Sequence, residues 1–299
     1  MSYDSYTPGS SDRSFIDRLG FSHLLATTIV LITATILLGV ATRAYGAGLA
    51  CDANWPFCDA GPYNLFPASF PSFWEWIHRF VSMFAGFAIV ATAIAAMRSS
   101  RIDRVVTGAV VLGAVLTPIQ VYLGRETVLS YNLEVLNLHF WTAVLIFVLF
   151  AVATVLVWMP RLTARHVTTA LAVGLVALPL HVGLSSAVLG DVTQYSPATQ
   201  TAQYAVTLAL FGAVIVATIV GRRRLDDART LAVVTATPIL AVLVVFFGRH
   251  AVVTFPSTIA FQNVLSAFHF LSAAVLFVVF AVGIRLTRTA STGRAATRL

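Results

Sequence analysis

Very few residues in this chain can do chemistry, and their spacing is informative. Glu75 and His78 stand three apart in Trp74-Glu75-Trp76-Ile77-His78-Arg79. On a helix that spacing puts a carboxylate and an imidazole on one face. His139 opens a long apolar run, and His269 opens a second run much like it. Two imidazoles on facing helices are what a heme iron needs for axial ligation, and a bundle holds such a group between its helices. A carboxylate one turn from such a ligand could take a proton or stabilise developing positive charge. The everyday alternative is a histidine that satisfies a neighbouring carbonyl. A pair at matched depth, with a further counterpart at His269, argues against that. Zinc is the weaker metal, since Glu75 is the only third ligand nearby and structural zinc takes four. Both cysteines, Cys51 and Cys58, lie between the first two apolar stretches. They read equally as a loop staple or as a reversible redox pair.

The elements that must position these groups follow from composition. Of 299 residues, 58% are hydrophobic and 10% are charged, against about 25% charged in a soluble domain. A soluble enzyme, a disordered chain and a large extramembrane domain are excluded. Apolar stretches fall at about 21–43, 74–97, 104–124, 134–158, 168–190, 200–220, 230–248 and 260–286. Each is long enough to span a bilayer. The first is too long for the apolar core of a signal peptide and is read as a retained span. The fold class is therefore an all-α membrane protein with eight transmembrane helices. The net charge of +7 comes from arginine alone, with no lysine, and 15 of the 19 arginines fall in alternate loops or at the termini. The positive-inside rule then places both termini in the cytoplasm, in the plasma membrane, with the site near the outer face. The arginines form no continuous basic face, so nucleic acid is not a partner.

The chain also repeats itself. The stretch starting at His139 and the one starting at His269 are identical at more than half of fourteen positions. Leu123-Gly124-Arg125 ends the third stretch, and Phe247-Gly248-Arg249 ends the seventh. Gly39 and Gly46 near the first match Gly183 and Gly190 near the fifth. Two pseudo-symmetric four-helix bundles are expected, 21–160 and 168–286. Residues 1–20 and 287–299 are then cytoplasmic tails. Aligning Gly212 on Gly86 sets Tyr204 opposite His78. The second pair is then His269 with Tyr204, and His181 and His250 are other sources of a ligand. Arg79, Arg125 and Arg249 stand at outer helix ends, where guanidinium groups could pair with heme propionates. His23 and His166 lie towards the cytoplasmic ends.

Taken in order, several segments resemble the heme A synthase family of cytochrome oxidase assembly enzymes. They are Arg43-Ala44-Tyr45-Gly46-Ala47-Gly48-Leu49 with Cys51, then Trp55-Pro56-Phe57-Cys58, Glu75-Trp76-Ile77-His78-Arg79, Gln120-Val121-Tyr122-Leu123-Gly124, and His139. The resemblance covers about 21–286. It implies a protein that oxidises a ring methyl of heme o through a hydroxymethyl group to a formyl, giving heme a. It implies Glu75, His78 and His139 as the catalytic site, with both histidines as iron ligands. It implies Cys51 and Cys58 as a cysteine pair serving the redox cycle, and His269 as a ligand of a resident heme b. Tyr204 stands where that family has a histidine, so the resemblance carries over less firmly to the heme b site. An electron acceptor, a heme o synthase as neighbour, membrane lipid and a homo-oligomer are the partners compatible with it.

Two other functions fit the same residues. A b-type electron-transfer cytochrome would use the same ligands without turning over a substrate. Glu75 and the cysteine pair favour the enzyme, since electron transfer alone needs neither. A transporter is the third, because parallel repeats are common there; Pro118 and Pro179 interrupt two stretches, but not as a matched pair.

Overall fold

The computed structural model describes residues 20–51, 55, 58, 66–130, 132–189, 196–252 and 259–296. The tail at 1–19, Pro56 and Phe57 of the loop motif, and Gly190 lie outside the described residues. The helices are α1 (Phe21–Ala44), α2 (Phe70–Arg98), α3 (Arg104–Leu129), α4 (Leu133–Trp158), α5 (Ala164–Gly183), α6 (Pro197–Arg224), α7 (Ala228–Val252) and α8 (Ile259–Ala296). A 3-10 turn, Met159–Arg161, follows α4, and a single helical turn, Ser186–Leu189, follows α5. No strand occurs among the described residues. All eight long helices are long and apolar enough to cross a membrane, and the chain is an integral membrane protein.

Helix starts follow side-chain chemistry. Ser69 and Ser72 form a reciprocal capping box at the start of α2, with Pro71 just inside. Asp103 and Asn132 accept the free N–H groups of Val105 and Glu134 at the starts of α3 and α4. Each satisfies a donor that the helix itself leaves unpaired. His166 takes part in the cap of α5, its Nδ1 accepting the Thr163 N–H at 3.1 Å. At the start of α7 the Asp227 carboxylate accepts both the N–H and the hydroxyl of Thr230. Those bonds hold its pKa below the ordinary value.

Two boundaries differ from expectation. The fifth stretch was expected to run to 190, but α5 stops at Gly183. There the Ser185 hydroxyl donates to the Val182 carbonyl, and the chain turns into Ser186–Leu189. The last helix runs past 286 to Ala296, because no proline interrupts it and the Thr287 hydroxyl bonds back to Gly283.

The first four helices pack as α1 with α2, α2 with α3, α3 with α4, and α1 with α4. The last four pack in the corresponding pairs, α5 with α6, α6 with α7, α7 with α8, and α5 with α8. Contacts of α6 with α1 and α4 join the two groups. Polar contacts between spans are few and buried, as when Thr28 of α1 meets Thr92 of α2 at 2.8 Å. Such pairs fix helix rotation where apolar packing alone is weakly directional.

Candidate functional site

The α2 capping box places Glu75 between one and two turns into the helix. The carboxylate is 3% exposed. It pairs with Arg79 one turn on, and its Oε2 accepts the Cys51 backbone N–H at 3.1 Å. Cys51 and Cys58 are disulfide-bonded, and both are buried. The sequence left staple and redox pair open; the bond is formed, and it fastens the loop that reaches Glu75. Around it, the Thr42 hydroxyl donates to the Trp74 carbonyl, and Tyr45 stacks on the Trp74 ring. The end of α1 is thereby clamped to the start of α2.

At 1.5 Å per residue, His78 lies about 12 Å along α2 and His139 about 9 Å along α4. The His78 ring packs on Gly39 of α1, where a Cβ would fall 2.9 Å from its Cε1. Its Nδ1–H donates to the Thr35 carbonyl at 3.1 Å. That bond assigns the free lone pair to Nε2. The His139 ring packs on Gly124 of α3 in the same way, at 3.0 Å. Its Nε2 lies 3.3 Å from the Gln120 side-chain amide, and its Nδ1 is buried without a partner.

The second group of helices is arranged differently. The His269 ring is fully buried on α8 and lies against Gly248 of α7, where a Cβ would fall 2.7 Å from Nδ1. That nitrogen donates to the Val244 carbonyl at 2.9 Å. The ring beside it is His181 of α5, with centroids 5.9 Å apart. Tyr204, expected as the partner, instead has its hydroxyl on Arg249 Nη1 at 2.9 Å and its ring edge-on to Phe140. A Cβ at Gly183, the counterpart of Gly39, would meet nothing within 4 Å. No imidazole therefore fills that notch as His78 fills the one at Gly39.

The arginines are engaged within the chain. Arg125 pairs with Glu126. Arg249 is 8% exposed; it donates to Asn137 at 2.9 Å and lies 3.9 Å over the Phe140 ring. It is a strut from α7 to α4 and α6, a role that the sequence did not suggest. Its place at a Gly-Arg helix end was visible, but the burial depends on α4.

No family model matches the chain. Over 136 residues it is 29% identical to a heme A synthase of Bacillus licheniformis, covering 45% of this chain and 44% of that protein. Over 119 residues it is 34% identical to a protoheme IX farnesyltransferase of Haloarcula marismortui, covering 40% of this chain and 25% of that protein. A second such farnesyltransferase, from Halobacterium salinarum, is 34% identical over 110 residues, 37% and 23% of the two chains. The chain spans less than half the length of these curated relatives.

No group of three or more His, Cys, Asp or Glu that could hold a metal ion occurs among the described residues. The arrangement does not assemble a three-ligand zinc site there. It offers one close pair of imidazoles, His181 and His269, and two further rings, His78 and His139, each wedged against a glycine. That donor set suits an iron that already carries a macrocycle and needs only axial ligands.

Proposed function

We propose that this chain is a heme-modifying membrane oxidoreductase of the heme A synthase type, converting a ring methyl of heme o to a formyl group. The observation that carries the reading is Glu75, a buried carboxylate beside His78 and tied through Cys51 to a disulfide-bonded loop. The partial similarity to a heme A synthase, and to enzymes named for their action on protoheme IX, supports it. An electron-transfer cytochrome has no use for that carboxylate.

The substrate heme sits between α2 and α4, with His78 and His139 as the groups that hold its iron. Written as a half-reaction, the conversion is R–CH3 + H2O → R–CHO plus four electrons and four protons. The electrons leave to an acceptor, and side chains alone cannot receive them. Glu75 receives a proton or steadies positive charge beside the reacting methyl. Arg79 and the Cys51 N–H hold its two oxygens in place, so the carboxylate does not need to reorganise. Tyr45 and Phe70 pack on the Trp74 ring next to Glu75 in sequence, which steadies the start of α2. The arginine pattern puts this site near the outer face of the plasma membrane, with both termini in the cytoplasm. The matching helix pairings of the two groups support reading the chain as a substrate half and a cofactor half.

The test is co-expression with a heme o source, followed by chromatography of the extracted hemes. The wild-type chain should yield heme a or its hydroxylated precursor. Glu75→Ala should retain bound heme o and fail to convert it. Full conversion by that variant removes the role of Glu75, and extraction of heme b alone from the wild type returns the chain to the cytochromes.

A further inference from the structure

We infer that His181 of α5 and His269 of α8 are the two axial ligands of a heme iron in the second half of the chain, with Tyr204 outside the ligand set. The identity of the metal rests on the heme reading above; the pairing of the two histidines does not.

The tautomers are the first argument. The Val244 carbonyl can only accept, so His269 Nδ1 carries the proton. His181 Nδ1 lies 2.8 Å from the Thr207 hydroxyl, whose own hydrogen goes to the Gln203 carbonyl. The hydroxyl therefore accepts, and His181 Nδ1 also carries the proton. Both rings then present a bare lone pair at Nε2. Both Nε2 atoms are buried and have no hydrogen-bond partner, on side chains 4% and 0% exposed. A buried polar atom without a partner is costly. Imidazoles held through Nδ1 by an acceptor, with Nε2 left bare, are the usual arrangement of metal-ligating histidines.

Distance is the second argument. Two metal–imidazole bonds of about 2 Å, with the ring radius added on each side, put ring centroids about 6 Å apart. The observed separation is 5.9 Å. The third is ligand count. A bare zinc or copper(II) ion wants about four protein ligands, and no third His, Cys, Asp or Glu joins this pair among the described residues. A heme iron brings four nitrogens of its own and lacks two. Tyr204 is engaged by Arg249, and its ring meets Phe140 of α4 across the contact between the halves.

The test uses the full chain in detergent, in a His139→Ala background that disables the first pair, titrated with hemin. One low-spin, bis-imidazole heme per chain should appear by electron paramagnetic resonance and visible spectroscopy. Adding His181→Ala should convert it to high-spin or release it, and free imidazole should restore the low-spin signal. That rescue separates a lost ligand from a lost fold. A low-spin signal that survives His181→Ala but disappears in Tyr204→Phe overturns the inference. So does a preparation that refuses hemin and instead retains copper or zinc. Because hemin is not the substrate, failure of heme o conversion leaves this result untouched, and loss of the spectrum leaves the conversion assay untouched.

Discussion

The backbone N–H of Cys51 donates to Glu75 Oε2 at 3.1 Å, so the disulfide loop and the buried carboxylate form one unit. Glu75 also pairs with Arg79, and the disulfide fixes the loop that carries the donor. A hydrogen bond to a charged group is worth about 1.5–3 kcal/mol. The Cys51→Ser, Cys58→Ser double variant keeps the N–H but frees the loop. Heme o conversion should therefore fall about tenfold, equivalent to about 1.4 kcal/mol in the barrier, while hemin affinity changes little. Single-turnover rates beside a hemin titration measure both. An unchanged rate would show that the N–H holds Glu75 without the staple.

Three glycines act as seats for three histidines. A Cβ would fall 2.9 Å from the His78 ring at Gly39, 3.0 Å from the His139 ring at Gly124 and 2.7 Å from the His269 ring at Gly248. Gly248→Ala is the tightest, and His269 is fully buried, so its ring has nowhere to go. That substitution should cost about 1–3 kcal/mol of stability through overpacking. It should also loosen the bond to the Val244 carbonyl. Gly248→Ala should lower the thermal midpoint more than Gly124→Ala, where the ring is only half-buried. Differential scanning of both variants checks the order, and equal midpoints would count against the seat.

Arg249 joins the two groups of helices through Asn137, Tyr204 and the Phe140 face. Arg249→Leu keeps bulk but removes the bonds to Asn137 and Tyr204 and the cation over the Phe140 ring. Losing a hydrogen bond to a charged group costs about 1.5–3 kcal/mol. The variant should lose roughly 2–4 kcal/mol, and limited proteolysis should find cleavage between α4 and α5 sooner than in wild type. Arg249→Lys should recover only part of this, because an ammonium cannot match the planar fork. Full stability in Arg249→Leu would remove the strut.

Much of this protein is legible in its sequence. Eight spans follow from composition, because a bilayer demands about 20 apolar residues per crossing and the charges between them are sparse. The α2 face bearing Glu75 and His78 follows from spacing alone. The glycine beside each histidine was in view at Gly124 and Gly248, but only as a repeat marker.

What the tertiary structure decided is which side chains meet. His181 and His269 are 88 residues apart in sequence, and their meeting depends on how α5 and α8 are rotated against each other. Helices apolar all round carry no stripe that sets that rotation. The repeat pointed to Tyr204 as the partner because alignment compares positions, not directions. In the fold the Tyr204 hydroxyl meets Arg249, its ring meets Phe140 of α4, and the imidazole beside His269 is His181. Likewise the two cysteines could be counted in the sequence, but only the folded loop brings the Cys51 N–H onto Glu75. Local chemistry is written in the chain order, whereas contacts between distant spans are set by packing and by a few buried polar bonds.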